Sequence, residues 1–333
     1  MAITTKSTEE ALPNETCASV MEFGDFKATE FLNPNYKRIR ELGLEQSIVD
    51  LEVYGFTVIP PEKVAPPEFL ERIRDTVLRI ARERTGVELK VDENGSRGKY
   101  EGQPQTSGQF LLYNLLLADR IFEEWLMNPT LYTIGTHLMH GQQQLSSLTS
   151  FIKWKGGTYG DGLGLHSDAP PDRDGRLSPC SDISNAAYCL TDYTEANGTL
   201  AMVPGSHRLC RQPMPGEGVE DSVPVVAPAG SLIAWHGNTW HGAYPKVTDG
   251  LRMNLTTYMC HKRIKTQEHR RNITQEMLDR NTPEFARLVG ADEWMGFDEK
   301  GPDYAPMMKY GGPEVKKRMA ARAAARGKAA ADQ

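Results

Sequence analysis

The amino-acid sequence predicts a mainly-β protein with helices on both flanks. Three observations carry that reading. Between about Gln142 and His261 the chain is a series of short apolar segments separated by Gly, Pro, Asp and Asn turns, the spacing of a sandwich or barrel. Upstream of it, apolar residues recur at helical intervals, and downstream of about His269 the helical texture returns.

Taken in order, residues 1–35 are polar with few core residues and read as a flexible lead-in. A helix is predicted over about Glu41 to Tyr54, from Leu42, Leu44, Ile48, Leu51 and Val53, and Gly55 ends it. Phe56-Thr57-Val58-Ile59 is β-branched enough for a short strand, closed by Pro60-Pro61. Phe69, Ile73, Val77 and Ile80 predict a strong helix over about Pro67 to Arg84. A further helical stretch runs from about Arg120 to Met139, and Pro129 divides it because proline cannot sit inside a helix. Strands are predicted over Leu148 to Trp154, Ser184 to Leu190, Gly198 to Val203, Ser231 to Trp235 and Arg252 to Cys260. Thr274 to Arg280 and Pro283 to Val289 are helical. Residues 36–312 therefore read as one domain, and residues 313–333 as a basic, Ala-rich tail. No internal repeat is present.

The bulk numbers exclude several classes. A chain of 333 residues, 39% apolar, can bury a substantial core. A net charge of −6 invites neither nucleic acid nor an anionic membrane as partner. The longest apolar run, Phe110 to Ala118, is interrupted by Tyr113 and Asn114 and is too short to span a bilayer. Met1 to Thr16 has no apolar signal core. The five cysteines are odd in number and lack Cys-x-x-Cys spacing, which argues against a disulfide framework or zinc ribbon. The expectation is a soluble cytoplasmic protein; nothing in the sequence reports its oligomeric state.

The chemistry concentrates in His166-Ser167-Asp168, in His241 and in Arg252. In extended chain, residues i and i+2 point to one side, so a single segment can offer both His166 and Asp168 to one metal. Two imidazoles and one carboxylate hold one face of an Fe(II) ion and leave the other open. Alone, a His-x-Asp pair is more often a satisfied surface pair. The second half strengthens it. Ser231 to Trp235 reads as a strand, and Asp249-Gly250 as a hairpin turn that would bring Arg252 back beside His241. An arginine entering an apolar strand needs an anionic partner, and its planar fork suits a carboxylate. The plainer alternative is that Arg252 pairs with Asp249 or lies at a solvated rim.

A resemblance adds to this. Asn197-Gly198-Thr199-Leu200-Ala201-Met202-Val203-Pro204-Gly205-Ser206-His207-Arg208 resembles the Gly-x-Leu-x-x-x-Pro-Gly-Ser-His signature of the phytanoyl-CoA dioxygenase family of Fe(II)/2-oxoglutarate oxygenases. Gly230 to Trp235 with Trp240-His241-Gly242 is similar to that family's distal-histidine segment, and Gly55 to Ile59 to its N-terminal strand. The likeness runs in order over about residues 45 to 261. It implies a double-stranded β-helix, a cupin-like jelly-roll barrel. It implies that His166, Asp168 and His241 bind iron and that Arg252 holds the distal carboxylate of 2-oxoglutarate. With O2, the co-substrate would become succinate and carbon dioxide while a C–H bond of a small organic metabolite is hydroxylated. Relatives that halogenate lack the carboxylate ligand, and Asp168 is present. A Ser or Thr two residues beyond the arginine is usual in the superfamily; Asn254 stands there instead, and its amide can also donate.

Further site candidates are Lys153 and Tyr188 for the co-substrate, and Tyr113, Asn114 and Trp235 for the substrate. His207 reads as a loop-fixing residue, and His236 is the rival to His241. His137 and His140 read as satisfying local polar groups, and Asp172 to Arg176 as a solvated loop. Desaturation, epoxidation or ring formation would use the same iron ligands. A jelly roll that binds metal or ligand without catalysis is the reading from another class. Arg208, Arg211, Lys262 and Arg263 do not cluster into a groove for the phosphates of a CoA thioester.

Overall fold

The structure is a computed structural model and describes residues 22–23, 26–27, 35–101, 108–269, 272–293, 296–312 and 315–321. It divides into two compact units, Met1–Leu44 and Glu45–Gln333. The first contains a two-stranded antiparallel pair, Glu22–Phe23 with Phe26–Lys27, and a helix, Tyr36–Glu41. Most of the expected lead-in, and of the expected tail, lies outside the described residues.

The second unit opens with helix α1 (Glu45–Tyr54). The single helix expected from Glu41 is interrupted at Gly43, whose φ of 61° is left-handed and ends a helix. Strand β1 (Phe56–Ile59) follows, then α2 (Pro67–Thr85). Pro67 sits in the first turn of α2, where no N–H is needed. Phe69, Ile73, Val77 and Ile80 form its buried stripe, and Gly86 closes it at φ 72°. Strand β2 (Gln109–Leu112) leads to α3 (Ile121–Leu126) and α4 (Pro129–Leu138). Pro129 divides these two as expected, and the Asn128 side chain caps α4 by accepting from the Leu131 N–H at 3.0 Å.

The remaining strands are β3 (Gln143–Lys153), β4 (Ile183–Cys189), β5 (Leu200–Met202), β6 (Val223–Pro224), β7 (Leu232–His236), β8 (His241–Ala243) and β9 (Arg252–His261). Helices α5 (Gln275–Asp279) and α6 (Pro283–Leu288) come after them. Strands β1 to β9 form two antiparallel sheets, a six-stranded one in the order β1-β7-β4-β9-β3-β2 and a three-stranded one in the order β8-β5-β6, and Phe297–Asp298 with Gly301–Pro302 make a separate antiparallel pair. This is the expected mainly-β jelly roll with helical flanks.

Strand alternation assigns each residue of the large sheet to a face. Tyr188 and Thr257 turn outward to α3, where Trp125 stacks on Tyr188 at 4.4 Å and donates from Nε1 to Thr257 Oγ1 at 2.8 Å. Ala187, Cys189, Ile233 and Trp235 turn inward and pack with Met202 and Val225 from the small-sheet side. That core closes one part of the space between the sheets; a cavity of about 590 Å³ takes up the rest.

Two expectations fail here. The Asp249-Gly250 turn does not join paired neighbours: β8 pairs with β5 in the small sheet, whereas β9 lies between β3 and β4 in the large one. The turn crosses from one sheet to the other. Strand β2 was not expected at all, because all four of its residues are buried and no alternation marks it.

Candidate metal centre

His166 and His241 face each other across an isolated antiparallel bridge. The N–H of each donates to the carbonyl of the other at 2.9 Å. Ser167 turns away, its hydroxyl on the Gly237 carbonyl at 2.9 Å and its backbone gripped at both ends by Gln212. Asp168 therefore returns to the side of His166, as the i, i+2 spacing predicts. One ligand atom from each of His166, Asp168 and His241 lies within 4.8 Å of the others.

Both imidazoles are oriented by their own backbone. His166 Nδ1 lies 2.8 Å from the Gly164 carbonyl and His241 Nδ1 2.9 Å from the Thr239 carbonyl. A carbonyl only accepts, so Nδ1 carries the hydrogen and Nε2 keeps its lone pair. Both Nε2 atoms point at Asp168, at 3.6 Å for His166 and 3.3 Å for His241. Asp168 is held in turn: Oδ2 accepts from Asn185 Nδ2 at 2.6 Å and from Trp235 Nε1 at 3.3 Å, and its carbonyl accepts from Tyr258 Oη at 3.1 Å. Burial pulls the Asp168 carboxyl up, but His241, His166 and Asn185 outweigh it and hold it at about 2. Burial works against charge on both histidines; the Asp168 hydrogen bond nevertheless raises His166, while His241 stays lowered. The His166 side chain is 53% exposed against 7% for His241, so the open side of the triad lies beside His166.

Beside the cavity runs a row of polar side chains across three strands, of which Arg252 reaches the lining. Lys153 pairs in register with Gln109 on one side and with Arg252 on the other, so all three share the inward face. They are 0%, 0% and 2% exposed in the order Gln109, Lys153, Arg252. Arg252 donates to Tyr193 Oη at 2.7 Å, and its Nε is buried with no partner. Lys153 Nζ donates to the Tyr244 carbonyl at 2.8 Å and lies over the Tyr159 ring. Burial first, then Arg252 and Lys246, bring Lys153 down to about 6. Burial pushes the Tyr193 phenol up to about 12 against the pull of Arg252. The Asp249 alternative for Arg252 is excluded, since that carboxylate binds Asn94 at 2.8 Å and Lys155 at 3.3 Å.

Most of the residues predicted from sequence converge on this cavity. His166, Asp168, His241, Arg252, Asn254, Trp235, Tyr113 and Asn114 all line it. Asn254 accepts from the Phe151 N–H at 3.1 Å through Oδ1. Lys153 stands behind the lining at the Arg252 end. Tyr188 is a correction: it sits on the outward parity of β4, stacked under α3, and cannot reach the co-substrate. His236 alternates outward from Trp235 to face His207 at 5.4 Å, and its Nδ1 accepts the Asn238 N–H. It is therefore no rival to His241. Sequence reasoning missed Asn185, Tyr193 and Tyr258. For Asn185 and Tyr258 the one signal was a polar group at an inward position of a strand, visible only once parity is known; Tyr193 lies on an isolated bridge outside the strands.

The basic residues considered for a CoA thioester are all engaged. Arg208 donates to the Glu52 carbonyl, Arg211 clamps Glu217 with two bonds at 2.6 and 2.7 Å, Lys262 pairs with Asp292 and Arg263 with Asp182. The four described cysteines are free thiols, and Cys17 lies outside the described residues. No helix among the described residues is long and apolar enough to cross a membrane.

A jelly roll that brings two histidines and one carboxylate to a single point, with one face open, offers the donor set of a mononuclear non-haem iron site. The particular family follows from comparison with known proteins: residues 51–254 match the model of phytanoyl-CoA dioxygenase (PhyH), and the chain belongs to that family. It is 28% identical over 201 residues to dioxygenase af480 of Aspergillus fumigatus, covering 58% of this chain and 62% of the relative. It is 27% identical over 101 residues to dioxygenase trt7 of Aspergillus terreus, covering 30% and 35%. The chain thus spans less than two thirds of these relatives. The fold matches that of HygX from Streptomyces hygroscopicus, solved with nickel and 2-oxoglutarate bound, at a TM-score of 0.51 and 15% identity over 67% of this chain and 88% of that one.

Fe(II) and 2-oxoglutarate, which the family implies, fit the residues present. The triad offers two neutral nitrogens and one ionised carboxylate. The same cavity holds a buried guanidinium whose Nε lacks a partner.

Proposed function

We propose that this chain is an Fe(II)/2-oxoglutarate-dependent dioxygenase that hydroxylates a C–H bond of a small organic molecule. One observation carries the reading: the triad and the carboxylate-free cation Arg252 open into one cavity. A buried guanidinium with no acid to meet it is costly until an anion arrives. When bound, iron with 2-oxoglutarate and O2 supplies an oxidant for unactivated C–H bonds, and the co-substrate leaves as succinate and carbon dioxide.

The chain's residues supply position. His166, Asp168 and His241 hold one face of the metal with their lone pairs already directed. Arg252, braced by Tyr193, grips the far carboxylate of the co-substrate in a two-pronged bond. Leu111, Tyr113 and Phe151 form an apolar wall, and Gln267, Glu268 and His269 a polar rim. A cavity of about 590 Å³ takes the co-substrate and a small metabolite together. Hydroxylation, or another oxidation at the same centre, is favoured over halogenation because Asp168 keeps the position that halogenating relatives vacate. Arg211, Lys262 and Arg263, each paired with a carboxylate, and Arg208, spent on the Glu52 carbonyl, favour a substrate without phosphates.

The test is aerobic consumption of 2-oxoglutarate with succinate detected, on protein reconstituted with Fe(II). Turnover that vanishes in Asp168→Ala and Arg252→Ala is expected. No turnover, with no binding of 2-oxoglutarate to the metal-loaded chain, would sink the assignment and leave a non-catalytic jelly roll. With a substrate in hand, a product gaining one oxygen as a new hydroxyl supports hydroxylation, one gaining it across a double bond means epoxidation, and one losing two hydrogens means desaturation or ring closure.

A further inference from the structure

The cation row asks for more than one charge's worth of anion. Lys153 and Arg252 are directly opposed cross-strand neighbours, an arrangement that destabilises a sheet when both are charged. Both are buried, and among the described residues no carboxylate pairs with either. Lys153 Nζ has three hydrogen-bonding positions, yet the Tyr244 carbonyl is its one hydrogen-bond partner. The other groups facing it are the Tyr159 ring, Arg252 and Lys246. Lys246 behaves differently although it too is buried. It donates to Asn197 Oδ1, to Thr248 Oγ1 at 2.9 Å and to the Asp249 carbonyl at 3.3 Å, so three acceptors support its charge, and burial with Arg252 lowers it only to about 8. Lys153 has no such shell. Gln109, the third member of the row, leaves Oε1 buried without a donor while its Nε2 is spent on Tyr159.

We propose that Lys153 takes up a proton when 2-oxoglutarate binds, so that this chain couples co-substrate affinity to pH. The proposal rests on the co-substrate reading above. In the free protein, burial and two neighbouring cations keep the amine neutral at neutral pH, with its pKa down at about 6. A carboxylate delivered to Arg252 reverses the local field and favours the ammonium. The proton comes from solvent, and no covalent bond changes. By linkage, affinity is then highest below about pH 6 and falls as pH rises, by up to tenfold per unit until the bound-state pKa is passed.

The experiment is calorimetry of 2-oxoglutarate binding to the Ni(II)-loaded chain at pH 7.5, in buffers of different ionisation enthalpy. Nickel is redox-inert, so binding is read without turnover. The expected result is a buffer-dependent enthalpy equivalent to uptake of close to one proton. Lys153→Arg, permanently charged, should bind without uptake. Lys153→Met should bind at least tenfold more weakly, also without uptake. Circular dichroism and retained Ni(II) binding show that the variants are folded. Wild-type binding with no buffer dependence overturns the proposal, as does uptake that persists in both variants. No binding of 2-oxoglutarate to nickel-loaded wild type overturns instead the co-substrate reading beneath it.

Discussion

The two ends of the cavity are built on opposite principles. At the triad, one carboxylate lies between two imidazoles, and the ring Nδ1 atoms, Asp168 Oδ2 and the intervening Ser167 are hydrogen-bonded within the chain. At the other end, Arg252 and Lys153 face each other, and among the described residues no acid meets them and Arg252 Nε and Gln109 Oε1 are buried without partners. The first end has its ligands oriented before anything binds, although Asn185 Oδ1 is buried without a partner among the described residues. The second carries an electrostatic debt that only an anion settles. The difference separates what the fold holds from what the ligand must bring: the metal meets a finished template, while the co-substrate finishes its own site.

Each end can be broken separately. The largest effect is expected from Asp168→Ala, which removes the one anionic ligand; turnover and Fe(II) binding should both be lost, read by titration with a metal indicator. Arg252→Ala comes next. Truncating one partner of a buried charge pair costs about 2–5 kcal/mol, so 2-oxoglutarate affinity should fall by about two to three orders of magnitude. Metal affinity should stay unchanged, and a fall in both would refute the division. Asn185→Ala acts only at the triad and should lower metal affinity by about 10- to 100-fold, the usual cost of losing a partner that orients a ligand.

Lys153→Met sharpens the comparison from the stability side. The folded-state pKa of Lys153 is depressed to about 6, so the unfolded chain binds the proton more readily over the interval from there to the ordinary 10.5. The lysine therefore destabilises the free protein, most at pH 6 and below, and the penalty fades as pH approaches 10.5. Removing it should raise stability by about 1–4 kcal/mol at low pH, with the gain shrinking under saturating 2-oxoglutarate. Thermal melts across pH, with and without co-substrate, check this; a variant less stable than wild type at pH 6 would contradict it. Tyr258→Phe removes a single neutral bond to the Asp168 carbonyl, and about 0.5–1.5 kcal/mol of stability is the whole effect expected.

Much of this was legible in the sequence, for identifiable reasons. Helices declared themselves through the stripe of Phe69, Ile73, Val77 and Ile80 and through Pro129, because periodicity and proline sterics are local. His166 and Asp168 were legible because i, i+2 geometry is also local. Tyr188 was misplaced because alternation says that neighbours face opposite ways but not which parity meets the cavity. Strand β2 was missed because complete burial erases alternation. The turn at Asp249-Gly250 was recognised as a turn, but the sheet that receives the chain after it is decided by distant pairings with β3 and β4. Lys153, Arg252 and Gln109 sit far apart in sequence, and only register makes them a row.

The reciprocal bonds between His166 and His241 have a consequence for the life of the protein. Many small metal proteins assemble their site and their fold in a single event, and stripping the ion unfolds them. Here main-chain hydrogen bonds already join the two segments that carry the imidazoles, so the pairing of His166 with His241 rests on backbone rather than on side-chain contacts with an ion.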